Sequence, residues 1–364
     1  MSGIGFTDNV LHRVKTPEIA AGFRSKKVKL KRADNGLLYP ASKSLASVGV
    51  ARTLTPVSKS QTGVSWYAKS ESGALFGSGK TINIKPGIGA LAEAIKKAEA
   101  GDMIQLAAGD YLVSKILIID KPLTIKGRKG VNLEFERPTV FEVVNGGSLE
   151  LKNLNISGKS SPDYVNNSVI RTSRYSMLEN YQIRVEDCEV SDLDVNRAFN
   201  FLNVSKSTMA DNIEIVDSSF SDVSGAILKL DKETDDFGIY NAEYVTIKDS
   251  NFRNVQGALI DYYRGGTDES SFGPHFSLTG SELNGVGVGS KNKSQASIWL
   301  HGVQVTHIKG NTFVNSPAIR IEHTVGEPVT RIVKNTFKAT PLPKVKELHS
   351  QKVNTAVIKE NTVR

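Results

Sequence analysis

Cysteine is almost missing from this chain: Cys188 stands alone among 364 residues. No disulfide framework can staple the fold, and the position, which other segments fill with serine or asparagine, suits a small core or turn residue. No run of about 18 apolar residues occurs, which excludes a membrane-spanning helix. The opening Met1-Ser2-Gly3-Ile4-Gly5-Phe6 has neither a basic nor an apolar stretch, so no secretory signal is expected in this chain. Phosphate loops, dinucleotide fingerprints and nucleophile elbows are also missing, which removes the usual cofactor-dependent classes.

The balance of charge is modest. Lys and Arg number 46 against 38 acids, a formal +8 that favours an acidic polymer, either nucleic acid or an acidic polysaccharide. The basic stretch from Arg24 to Arg32 alternates charge with Val28 and Leu30, the pattern of a solvated strand. At 39% apolar residues the chain can bury a full core.

What the sequence does have is a repeat. Leu154-Asn155-Ile156, Asp187-Cys188-Glu189-Val190, Asp217-Ser218-Ser219-Phe220, Asp249-Ser250-Asn251-Phe252, Gly280-Ser281-Glu282-Leu283, Gly310-Asn311-Thr312-Phe313, Lys334-Asn335-Thr336-Phe337 and Glu360-Asn361-Thr362-Val363 are versions of one motif. Its apolar anchors are 24 to 34 residues apart, the period of a solenoid. A short alternating strand precedes each polar turn, and one large apolar residue follows to fill the interior. This predicts an all-β chain, a right-handed parallel β-helix with an N-terminal capping helix.

The helix is expected over 91–98, where apolar residues recur at helical spacing before Gly101. Around it lie a strand at 81–85, a Pro86-Gly87 turn, a second strand at 102–106, a turn at 108–111 and strands near 116–118 and 123–125. A helix placed before stacked strands closes the open end of a solenoid, which would otherwise expose a pairing edge. The β-helix domain is therefore expected over 80–364. Residues 1–79 lack the register and read as an N-terminal extension or interdomain linker.

Two octets, 225–232 and 257–264, align without a gap. With Leu228, Leu230 and Ile260 inward, alternation turns Lys229, Asp231, Asp261 and Tyr263 outward, and Lys232 and Arg264 end the strands at equivalent positions. Trp299, His301, Arg320 and Glu322 are expected on the same wall. Stacked like charges repel by roughly 0.2–1 kcal/mol. Either an anionic ligand compensates them, or Asp231, Asp261 and Glu322 neutralise the ladder themselves. The inserted turn after Arg264 carries Asp268 and Glu269 and leads to His275, a placement typical of binding loops. His275, His301 and His323 fall about one coil apart, but nothing in the spacing makes a zinc site of them.

Asn35-Gly36-Leu37-Leu38-Tyr39-Pro40, Thr62-Gly63-Val64-Ser65-Trp66-Tyr67, the helix-capped repeat from Lys80 and Tyr263-Arg264-Gly265-Gly266-Thr267-Asp268-Glu269-Ser270 together resemble the alginate lyases of polysaccharide lyase family six, related to chondroitinase B. The likeness is greatest to the C-terminal β-helix of two-domain members. It implies β-elimination on a uronate, with a Lys as base, an Arg one coil further on, and calcium held by an Asn and a Glu-x-Glu pair. Lys232 and Arg264 reproduce the one-coil relation, with Tyr263 or Tyr262 as acid or base and Lys229 as a second candidate base. Lys229, Asp261, Tyr262, Asp268, Glu269, His275, Trp299, His301, Arg320 and His323 would then contact the polymer. The Glu-x-Glu positions hold Gly225 and Ile227, so a calcium cofactor is left open and no metal ligands are assigned. The implied partners are alginate and an upstream catalytic domain or a second copy of the chain, with no nucleic acid and no membrane span, in a secreted or periplasmic setting. A non-catalytic β-helix that binds alginate or packs on a catalytic domain is the alternative.

Overall fold

A computed structural model describes residues 29–33, 37–43, 75–165, 167–235, 238–266, 273–348 and 356–364. The chain divides into two units, residues 1–73 and 74–364. In the first, Leu30–Arg32 pairs antiparallel with Leu38–Pro40, and Lys31 and Arg32 are exposed, as a solvated strand requires. Residues 24–28 of the basic stretch and the segment 62–67 lie outside the described residues.

In the second unit each coil contributes a strand in turn to three parallel sheets. The first sheet has 11 strands, from Thr81–Ile84 to Ala356–Lys359. The second has 10, from Gly109–Val113 to Thr362–Val363, and the third has 9, from Leu117–Ile119 to Lys344–Glu347. This is a parallel β-helix, and the interior between the sheets is one continuous apolar cluster. Helix α1 (Ala90–Lys97) buries Leu91, Ala94 and Ile95, the stripe expected of an amphipathic cap, and touches Thr81–Ile84 and Leu117–Ile119. Residues 108–111 are not a turn: Gly109–Val113 is a strand that opens the second sheet, with Tyr111 and Val113 inward and Asp110 and Leu112 outward.

The repeated motif sits at the corner between the first and second sheets. Its leading residues, Asn153, Asp187, Asp217, Asp249, Gly280, Gly310, Lys334 and Glu360, all have φ between 48° and 70°. Asn, Asp and Gly reach this left-handed region most easily, which is why the turn favours them. The next residue is buried and forms a ladder along the molecule. The Ser218, Ser250 and Ser281 hydroxyls each accept from the backbone N–H one coil earlier, at 3.1, 3.2 and 3.1 Å. Asn311, Asn335 and Asn361 continue the row, each accepting from the coil before at 2.9 Å. Cys188 begins the serine run as a buried small residue, and burial pushes its thiol up to about 12, so it is inert at neutral pH.

The anchors pack beneath this ladder. Phe220 stacks on Phe252 at 5.2 Å and Phe313 on Phe337 at 5.0 Å, all four buried. Val363, expected to be the last interior anchor, is instead 58% exposed.

Candidate functional site

Strand alternation places one outward row on the third sheet: Glu142, Arg171, Asn203, Lys229, Asp261, Trp299, Arg320 and Lys344 in register. A second row contains Tyr263, His301, Glu322 and Lys346. The first row is largely neutralised by its own acids. Arg171 meets Glu142 at 2.6 Å, and the Lys229 ammonium is held by Asp261 at 2.6 Å and Asp231 at 2.8 Å. Burial opposes the charge on Lys229, but the two carboxylates outweigh it and raise its pKa above the ordinary lysine value. A lysine held so firmly protonated is a poor base at neutral pH, which removes Lys229 from that role. Lys232, 44% exposed, leans on Asp231 at 3.1 Å.

Further along the face the aromatic residues converge. Tyr263 stacks on His301 with ring centres 4.1 Å apart and planes 7° from parallel, and Trp299 lies 5.8 Å from Tyr263. Glu322 ties the group together. Its Oε2 accepts from Trp299 Nε1 at 3.2 Å and lies 2.8 Å from His301 Nδ1, while its Oε1 accepts from Arg320 at 3.1 Å. Arg320 also donates to the Ser294 carbonyl at 2.6 Å, which fixes its guanidinium. The result is an aromatic cluster, Trp299 inclined at 55° to Tyr263 and 49° to His301, with an oriented imidazole and a cation at its edge.

Burial pushes the Glu322 carboxyl up, but the hydrogen bonds from His301 and Trp299 and the charges of His301 and Arg320 outweigh it and hold it below the ordinary 4.5. A carboxylate lowered in this way contributes stability that is present above its unfolded pKa and is lost as pH falls through the folded one. Thermal unfolding followed from neutral pH to the acid side of 4.5 should therefore show a loss of stability that is shallower in Glu322→Gln than in wild type.

Two expected contact residues, Tyr262 and His323, and the expected catalytic Arg264 lie inside the β-helix. Tyr262 is fully buried, with its hydroxyl donating to the Ala242 carbonyl. Arg264 is 1% exposed and donates through Nε to the Gly238 carbonyl at 3.3 Å. His323 is fully buried between Glu347 at 2.8 Å and Thr330 at 2.9 Å. The reason is parity: Ile260, Tyr262 and Arg264 are alternate residues, so all three share the inward side. Gly302, at φ 75°, makes room, because a Cβ there would sit 3.0 Å from Arg264. Arg264 and Lys232 therefore do not present a pair to solvent. His275 is on a different wall: it belongs to the first sheet, stacked on Tyr244 at 4.7 Å and 3.6 Å from Glu243. Asp268 and Glu269 lie outside the described residues. Glu322 as a hub, and Lys344 and Lys346 one coil beyond Arg320 and Glu322, were the residues whose site role the sequence reading missed; the signal was the coil register itself.

A structural role for Arg264 has a measurable consequence. Arg264→Ala should lower stability by roughly 1.5–3 kcal/mol through the lost charged hydrogen bond alone, read as a lower urea midpoint. Any fall in activity in that variant should follow the loss of folded protein.

Calcium has no cradle at the Glu-x-Glu positions. Ile227 is fully buried, and a Cβ on Gly225 would lie 2.5 Å from the Phe199 carbonyl oxygen. Among the described residues, no cluster of three or more His, Cys, Asp or Glu could hold a metal.

Comparison with solved structures bears on what such a face does. An alginate lyase of the PL6 family, AlyGC, superposes with a TM-score of 0.84 at 43% identity, over 95% of this chain and 48% of that one. A variant of AlyGC with an arginine replaced by alanine superposes at 0.85 with 44% identity, over 96% of this chain and 48% of its own. The chain is similar, almost end to end, to about half of a PL6 alginate lyase. It spans about half the length of these PL6 lyases, so it matches a part of them. No family model and no curated protein matches the chain. Among the described residues, no helix of this PL6-like chain is long and apolar enough to cross a membrane.

Proposed function

We propose that the chain is an alginate lyase-type protein that binds polyuronate along the outward face of the third sheet and cleaves it by β-elimination. The observation that carries this reading is the 44% identity to an alginate lyase over 96% of the chain. The Tyr263–His301–Glu322–Arg320 cluster supports it by offering the required groups on one exposed wall. A pyranose ring stacks on Trp299 or Tyr263, and Arg320 and Lys344 neutralise the uronate carboxylate, which acidifies the C5 proton. Because Nδ1 of His301 is engaged by Glu322, its Nε2 is the nitrogen left to take that proton. The C5–H bond breaks, the electron pair forms the C4–C5 double bond, and the C4–O4 bond breaks. The Tyr263 phenol protonates the departing O4. Solvent then removes the proton from His301 and reprotonates Tyr263. Calcium enters none of these steps.

The substrate class is an acidic polysaccharide, which supports a secreted or periplasmic setting. That the chain covers 48% of its PL6 neighbour supports an active unit with a second half or a second copy. The test follows ultraviolet absorbance of unsaturated product on polymannuronate, polyguluronate and mixed alginate, with and without calcium. Product that disappears in Tyr263→Phe and His301→Ala but persists in Lys232→Ala would support the reading. Alginate binding without product from any of the three polymers would overturn the catalytic part and leave a polyuronate-binding domain.

A further inference from the structure

The second sheet carries a site of opposite character. Its outward side forms a groove of about 820 Å³ spanning the strands from Gly109–Val113 to Glu282–Val286. Seven strands at about 4.8 Å spacing make it about 29 Å long, and each spacing is close to the advance of one sugar unit along an extended glycan. One row along its floor, in register, reads Asn132, Asn155, Glu189, Ser219, Asn251 and Glu282. Amides, hydroxyls and carboxylates dominate the lining, and each of them pairs with sugar hydroxyls as donor, acceptor or both.

Charge decides which glycan. Five carboxylates line the groove against two cations, Lys159 and Arg253, and Lys159 is already committed to Glu134 at 2.7 Å. Glu189 and Glu282 are exposed. A polyuronate laid here would set carboxylates against these and against Asp110, Glu134 and Asp192, acids spread along the groove from its first strand to its last, and like charges across an interface exclude a wrong partner. The serines at 157 and 191 both donate to Asp192 at 2.7 Å, so part of the polar surface is already oriented.

We infer that this groove is a second glycan-binding site, separate from the third-sheet face, and that it takes an uncharged extended oligosaccharide. It would hold the protein on neutral polymer of a mixed matrix while the other face meets polyuronate. Isothermal titration of the full chain with cellohexaose, mannohexaose, maltohexaose and hexamannuronate tests it. The expected result is that at least one neutral hexasaccharide binds. That binding weakens at least tenfold in Asn251→Trp and in Ser221→Trp, whose bulk fills the groove, and is unchanged in Trp299→Ala. Each variant is first matched to wild type in thermal unfolding, and Asn251→Ala serves where a tryptophan variant does not fold. Failure of all three neutral ligands to bind, binding that survives the groove variants, or displacement of the neutral ligand by hexamannuronate would each overturn the inference. None of these outcomes depends on whether the third-sheet face is catalytic.

Discussion

His301→Ala should lower the rate of unsaturated-uronate formation by roughly 100- to 10,000-fold, the range a positioned general base supplies. The imidazole has a ring nitrogen 2.8 Å from a carboxylate oxygen and a neighbouring phenol in ring contact, at 4.1 Å. Substrate affinity should change little, since Trp299 and Arg320 remain. Glu322→Gln should give a smaller loss, because an amide still reaches His301 but no longer favours the same tautomer or balances Arg320. Lys232→Ala should leave the rate about unchanged, its ammonium resting on Asp231. Rates measured on folded protein at saturating alginate decide among these; a larger loss in Lys232→Ala than in His301→Ala would remove the imidazole from the base role.

The second large effect lies in the fold. Asn335→Leu keeps the branched outline of the side chain, with added methyl bulk, and should cost roughly 3 kcal/mol or more, because each buried polar group left unpaired costs about 1–3 kcal/mol. Asn335 Oδ1 accepts from the N–H and the side-chain amide of Asn311, both at 2.9 Å. Its own amide donates to the carbonyls of Ile308 and Val333 and to Asn361. Leucine satisfies none of these groups. Asn361→Leu should cost less, since that side chain is only partly buried and water can replace it. Urea unfolding with an unchanged slope would show that the midpoint shift is stability alone.

The coil architecture was legible because its signal is repeated. One Asp-Ser-Asn-Phe segment would say little, but eight related segments specify a corner, and the observed φ angles explain the residue choice. The register of 225–232 against 257–264 was legible for the same reason, and Leu228 does pair with Ile260. What misled was residue type. Tyr262, Arg264 and His323 look like surface chemistry, yet a two-residue period carries them inward, where partners from other coils accept them. Those partners, Gly238 for Arg264 and Thr330 and Glu347 for His323, are distant in sequence or set by packing, so nothing near the residues announces them. The motif's polar turn was read, but its burial as a ladder was not, since stacking shows only when coils are superposed. The second-sheet groove takes much of its floor from the motif itself, since Asn155, Glu189, Ser219, Asn251 and Glu282 each precede an apolar anchor, but they become a surface only when the strands lie side by side.

The ladder at the first corner also determines how the molecule comes apart. Each rung bonds within its own coil and to the coils directly before and after, so the ladder ties neighbouring coils and not distant ones. Amide hydrogens near the middle should exchange with solvent slowly and those toward the two ends progressively faster, as in a zipper opened from its tips. In the third sheet only two strands, Arg320–His323 and Lys344–Glu347, lie beyond His301 toward the C-terminal end, so the cluster around Tyr263 and His301 should open before the middle of the zipper does.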